Sequence, residues 1–241
     1  MPARTVLKDR QALLEALRQQ VVHTACGVST GIAGIDACLG AGLAPDALHE
    51  IAAADFRAIP GAWGFLLALV ARVAAERKGI LVWPLVPGGA FGIPYAPGLK
   101  SFGLDPRDFL IVRCRRERDA AWAMEEALRI GAGAVVGART RDMDLTASRR
   151  LQLAAQHSGT PVFLLRAHDD RQPSAAVSRW RIVIMPGGRD RFGLFGEPRW
   201  RVALDYAKGG RCGEWVVEWN HAAHRLRLPA VLADGTQRRA A

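Results

Sequence analysis

Residues 29–51, STGIAGIDACLGAGLAPDALHEI, lead into a short apolar strand pattern that should feed a glycine-rich turn carrying Lys and Ser or Thr. Such a turn cradles phosphates with backbone N–H groups while its hydroxyl holds magnesium. Here the strand runs instead into ADFRAIPGAWGFLL, where Gly61 and Gly64 are the glycines and lysine is absent. No Gly-Lys-Ser/Thr triplet stands anywhere in the chain. Triphosphate hydrolysis also requires a magnesium-holding Asp at a strand end and a carboxylate or equivalent group to place the attacking water. The strand AVV ends in Gly137, Ala138 and Arg139, and ILVWPLV is followed by Pro87, Gly88, Gly89 and Ala90, with no carboxylate before Asp105. Arg57 would attract a phosphate but supply neither orientation nor metal, so the main electrostatic contributions to hydrolysis are missing. The expectation is a chain without catalytic turnover, cofactor or metal.

Other chemical constellations are no richer. The six histidines fall on different predicted elements without a His-Glu-x-x-His pattern, and HAAH at 221–224 sits at a predicted hairpin turn. His168, Asp169 and Asp170 follow a strand and read as solvated loop residues. The four cysteines, Cys26, Cys38, Cys114 and Cys212, are far apart and form no Cys-x-x-Cys pair, which argues against zinc and against a disulfide framework.

The elements that would position these residues alternate. Apolar runs at 48–53, 80–86, 109–113, 134–137 and 161–166 predict parallel strands covered on both faces. Helical periodicity between them predicts helices at 62–77, 117–130 and 145–157, with Gly79, Gly131 and Gly159 beyond their ends and Asp144 or Thr146 capping the last. After Pro173 the pattern becomes period two: VSRWRIVIM, PRWRVALDY and GEWVVEWN predict consecutive antiparallel strands at one sheet edge. Before all of this, residues 7–22 form an amphipathic helical pattern whose stripe of Leu14, Leu17 and Val21 must lie on its own core or on a neighbouring subunit. The expected organisation is an N-terminal helix over 1–25, one α/β domain over 26–228, a mostly parallel sheet flanked by helices with antiparallel edge strands, and a tail over 229–241.

At 241 residues and 50% hydrophobic, the chain can bury a sizeable core. Its net charge of +10 comes almost wholly from arginine, which pairs with both phosphate and carboxylate. No apolar run in the sequence approaches the roughly 20 residues of a membrane span, and the start lacks a signal-peptide pattern, so a cytoplasmic location without membrane contact is expected.

The leading helix, Ser-Thr-Gly at 29–31, the short helix with Ile35, Asp36 and Leu39, the turns at Gly40 and Gly42, the HEI strand and the antiparallel edge together resemble the RecA recombinase core. More narrowly, YAPGL at 95–99, GLDP at 103–106, AMEEALR at 123–129 and LTASRRLQLAAQHSG at 145–159 resemble the ImuA family of RecA-like accessory proteins. AVSRWRI at 176–182, PRWRV at 198–202 and GEWVVEW at 213–219 extend that likeness over most of the chain. The resemblance implies a role in damage-induced mutagenic translesion synthesis, as a partner of ImuB, with RecA and an error-prone C-family DNA polymerase as further candidates. A cell-division inhibitor resembling SulA and a divergent nucleotide-binding ATPase are the competing readings.

Three kinds of contact follow from that layout. In a RecA-like sheet, Arg139, Arg141, Arg149 and Arg150, with Arg166 and Arg171 nearby, would lie on the side where recombinases face DNA and would bind it without sequence preference. For a protein partner, Phe192, Leu194 and Phe195 form an apolar loop, and Arg199 and Arg201 alternate with tryptophans on the C-terminal strands. Self-association would use Leu14, Leu17 and Val21 head to tail.

Overall fold

The computed structural model describes residues 27–86, 92–139, 143–187 and 196–229. Among these, nine strands form one sheet in the order β3-β2-β4-β5-β1-β6-β7-β8-β9. Strands β1 (Leu48–Ala53), β2 (Leu81–Leu85), β3 (Phe109–Arg113), β4 (Ala134–Ala138), β5 (Val162–Arg166) and β6 (Ser178–Met185) run parallel. Strands β7 (Arg199–Ala207), β8 (Gly213–Asn220) and β9 (Arg225–Arg227) continue antiparallel. β6 is thus where strand direction changes: it lies parallel on β1, not antiparallel on both sides as its period-two pattern alone suggests.

Helices α1 (Ala33–Leu39), α2 (Ile59–Glu76), α3 (Ala96–Ser101), α4 (Glu117–Arg129) and α5 (Leu145–Ser158) complete the architecture. On one face of the sheet, α2 inserts Phe65, Leu66 and Leu69 among Ile51, Trp83, Val136, Phe163 and Leu165. On the other, Met124 and Leu128 of α4 and Leu151 and Ala155 of α5 pack on Leu48, Val82, Val135, Val162 and Leu164. The two clusters take alternate residues of the same strands, as the pleat requires, which is why these strands are apolar apart from His49 and Glu50 of β1 and Arg166 of β5.

Local signals behave as expected. Asp144 caps α5, its carboxylate accepting from the Ala147 amide at 2.7 Å. Gly159 ends that helix in the left-handed conformation at φ 68°, where a Cβ is disfavoured. With its preceding turn, the helix Phe56–Glu76 does have the length and apolarity to cross a membrane, contrary to the reading of the sequence, but it is the central core helix with Phe65, Leu66, Leu69 and Val70 fully buried. The segment 7–22 with Leu14, Leu17 and Val21 lies outside the described residues, as does the tail from 230.

The seam between the two sheet halves is polar but satisfied. His49 of β1 is buried, stacks on Phe163 with centroids 5.2 Å apart, and meets the Ala44 carbonyl through Nε2 at 2.9 Å. Its Nδ1 lies 2.7 Å from the Ser178 hydroxyl on β6, which in turn accepts from Trp180 Nε1 at 2.9 Å. With Nε2 donating and Nδ1 accepting, every ring nitrogen of the neutral form has a partner. Burial accordingly pushes the His49 pKa down to about 4.

Candidate functional site at the carboxyl ends of the parallel strands

In open α/β sheets, ligands gather beyond the carboxyl ends of the strands. Here the β1–α2 connection is a tight single 3-10 turn, Phe56–Ala58, not an open phosphate loop. The Asp55 carboxylate accepts from the Ala58 amide at 2.9 Å, placing the chain's own negative charge at the start of the helix, where an anion is stabilised. Pro60 removes another N–H from the first helical turn.

Gly61 and Gly64 have a different task from a phosphate cradle. A Cβ on Gly61 would stand 2.5 Å from Ile184 Cγ1, and one on Gly64 would stand 2.9 Å from Trp200 Cζ2. Both glycines let α2 settle closely onto β6 and β7, so they are glycines of helix-to-sheet packing. Phe56 and Arg57 point outward, Phe56 with 73% of its surface exposed and its ring edge-on to His168 at 6.4 Å.

Behind this turn lies a closed ion cluster. Glu50, in the middle of β1 and fully buried, receives Arg139 Nη1 on Oε1 at 2.7 Å and Arg166 Nη1 on Oε2 at 2.9 Å. The Ser174 hydroxyl donates to the same carboxylate at 2.7 Å. Asp170 closes the ring, its Oδ2 at 3.0 Å from Arg139 Nε and its Oδ1 at 3.1 Å from Arg166 Nη2. Arg139 Nη2 reaches the Met143 and Pro173 carbonyls and Arg166 Nη2 those of Asp170 and Gln172, while Arg139 Nε faces Asp170 as an ion pair without a well-aligned hydrogen bond. Two arginines and two carboxylates balance in charge, which is what permits them to leave water together.

The geometry explains why these residues meet. Arg166 stands opposite Ala52 in the β1–β5 register and Glu50 stands opposite Leu164, so Glu50 and Arg166 share the α5 face, two positions apart. Arg139 follows β4, the other neighbour of β5, with its amide on the Leu165 carbonyl. Guanidinium forks of this kind grip a ligand's carboxylate or phosphate elsewhere in proteins; here they grip an internal glutamate. The 167–173 loop that covers the cluster also lines a cleft of about 580 Å³ with Arg139, Asp169, Asp170, Arg171 and Gln172.

This arrangement corrects two expectations. Arg139 is not a DNA-facing residue: its side chain has no exposed surface and its guanidinium is engaged by Glu50, Asp170 and two carbonyls. Arg166, with 8% side-chain exposure, is withdrawn for the same reason, and Asp170 is a member of the cluster, not a solvated loop residue. Arg149 and Arg150 do lie exposed on α5, Arg150 at 2.6 Å from Glu125 of α4. Arg199 bonds across the sheet to Glu218 at 2.8 Å, while Arg201 is 3.7 Å from Glu214 on the bare face of the antiparallel strands. Arg141, Phe192, Leu194 and Phe195 lie outside the described residues.

Glu50 was the residue missed, although a charged side chain inside a strand covered on both faces must have a partner. No group of three or more His, Cys, Asp or Glu among the described residues is arranged to hold a metal. Cys38, Cys114 and Cys212 are free thiols, and burial pushes the Cys114 thiol upward. His221 and His224 are exposed turn residues.

Fold and site together define an α/β protein with a mostly parallel sheet flanked by helices, in which the turn after β1 is closed by the chain's own side chains. Over 225 residues the chain is 35% identical to Protein ImuA of Caulobacter vibrioides, in sequences from two strains, covering 86% of this chain and 90% of each relative. No protein-family model matches it. The chain belongs to the ImuA family.

Proposed function

We propose that this protein serves the mutagenic DNA-damage response as a non-catalytic binding component that associates with ImuB. Membership of the ImuA family supports the process. Support for a binding role comes from one observation above the rest: where a RecA-like ATPase would present phosphate donors and a metal-holding acid, Asp55 caps the helix and Glu50, Arg139, Arg166 and Asp170 are ion-paired with one another. Functional contacts then fall to surfaces outside this closed site. RecA and an error-prone C-family polymerase are further partners in this reading, and the assembly works in the cytoplasm.

The test has two arms. Immobilised ImuB should retain the purified chain in stoichiometric amount without added nucleotide. The same preparation should show no ATP turnover with magnesium and single-stranded DNA. Turnover abolished by a single change in residues 54–60 would overturn the non-catalytic reading, and failure to be retained would overturn the partnership.

A further inference from the structure

We propose that the outer face shared by α4 and α5 is where the partner docks, through an acidic amphipathic helix. The proposal rests on the reading that ImuB is the partner and assigns the surface.

Trp122 is the starting point. Of the seven tryptophans, Trp83, Trp180, Trp200 and Trp219 are buried, Trp63 stacks on Trp83 at 4.6 Å, and Trp215 packs against the main core. Trp122, in the middle of α4, leaves 63% of its surface in water. Burying such a ring recovers a large hydrophobic contribution, and tryptophan beside arginine is the composition of binding hot spots.

Its surroundings form a surface. One turn along α4 from Trp122, Glu125 joins Arg150 of α5 at 2.6 Å, and one turn further along α5 stands Leu153, 58% exposed. Trp122 and Leu153 thus flank an interhelical ion pair on opposite corners, with Leu145, 46% exposed, at the near end of α5. Six residues of axial offset at 1.5 Å each and a helix spacing of 8–10 Å put these two anchors roughly 13 Å apart. Apolar residues seven to eleven positions apart on one partner helix, about 10–16 Å, span that distance.

Charge selects the partner's chemistry. Glu125 and Glu126 are sunk, with side chains 18% and 31% exposed, whereas their partners Arg150 and Arg129 stand 65% and 70% exposed. Arg118 is 70% exposed, and Arg149 is exposed without an ion pair among the described residues. A docking segment therefore meets apolar anchors framed by guanidinium groups, the complement of a helix with an apolar stripe and acidic flanks. An aliphatic anchor such as Leu153 and glutamates beside the arginines suit a polypeptide better than a phosphate backbone.

The experiment measures binding of the full-length chain to immobilised ImuB for wild type, Trp122→Ala and the double variant Arg149→Glu/Arg150→Glu, with melting curves and a DNA mobility-shift assay alongside. Trp122→Ala should weaken binding by about thirty-fold or more while the melting temperature stays put. The charge reversal should weaken it too, with a flatter salt dependence. If wild type and Trp122→Ala bind ImuB alike, this docking surface is wrong and the functional reading survives. If neither binds, both fall. If the charge reversal abolishes DNA binding and leaves ImuB binding intact, the face belongs to nucleic acid and the assignment is overturned.

Discussion

The parallel and antiparallel halves of the sheet use arginine in opposite ways. Between β3 and β6, helices cover both faces, and the arginines that enter, Arg139 and Arg166, are buried and engaged around Glu50. From β6 to β9 one face carries the core residues Trp180, Trp200, Val202, Val217 and Trp219, while the other holds cross-strand pairs: Arg181 with Asp205 and Arg201 with Glu214 in water, and Arg199 and Arg227 closing over Glu218, whose side chain is 6% exposed. In the first half arginine is architecture; in the second, Arg181 and Arg201 are surface. The difference follows from layering, since a strand covered twice offers a charge no water and a strand covered once offers it half a hemisphere.

Breaking the buried cluster should therefore have the largest effect. Glu50→Ala strands two guanidinium groups without their central partner, and removing one member of a buried charge network costs about 3–5 kcal/mol. Urea denaturation should show an unfolding free energy lower by that amount, seen as a lower midpoint with little change in slope. A loss below about 1 kcal/mol would mean the cluster is wet or rearranges easily, and the comparison between the halves would lose its basis.

Much of the layout was legible because β2, β3, β4 and β5 announce themselves as apolar runs between helical periods. β2, β4 and β5 fell within a residue of expectation, and so did the ends of α4 and α5. Short α3 was not anticipated, since Pro97 and Gly98 are poor helix formers, yet proline is tolerated in a first helical turn. The ion cluster was illegible for a different reason: its members stand at 50, 139, 166 and 170 and meet only through strand order. Arginine at a strand end reads as exposed unless one knows that the register places it two positions from a glutamate on the same face. Trp122 escaped because tryptophans cluster in the C-terminal strands, where the fold then buries them.

The seam between the halves supplies the next test. His49 is held neutral with a pKa near 4, below its ordinary 6.5, so the unfolded chain takes up a proton that the folded chain refuses in that interval. Stability from this residue is fully present above about pH 6.5, falls as the pH drops towards 4, and then levels off. The depression corresponds to about 3 kcal/mol, at 1.36 kcal/mol for each unit. Denaturation at pH 7, 5.5 and 4 should trace that loss, and His49→Gln should remove this part of the slope.

Gly64→Ala asks whether the glycines after β1 serve packing. The new methyl would meet the buried Trp200 ring, which has little room to retreat, and overpacking of this kind costs about 1–3 kcal/mol. If the glycine served a phosphate instead, the variant would keep its stability and lose nucleotide binding. Calorimetry with ATP and a thermal melt on the same sample separate the two.

The smallest effect belongs to the bare face. Arg201 is 3.7 Å from Glu214, with side chains 46% and 61% exposed, and a pair so placed in water contributes about 0–1 kcal/mol. Arg201→Ala should leave the urea midpoint almost unmoved, whereas Glu50→Ala moves it strongly. A large loss at Arg201 would show that something covers the outer face of the antiparallel strands in solution, because only exclusion of water makes such a pair costly to break. The contrast between the two variants is then a measurement of cover: the same pairing chemistry, arginine with glutamate across neighbouring strands, is decisive under helices and nearly silent without them.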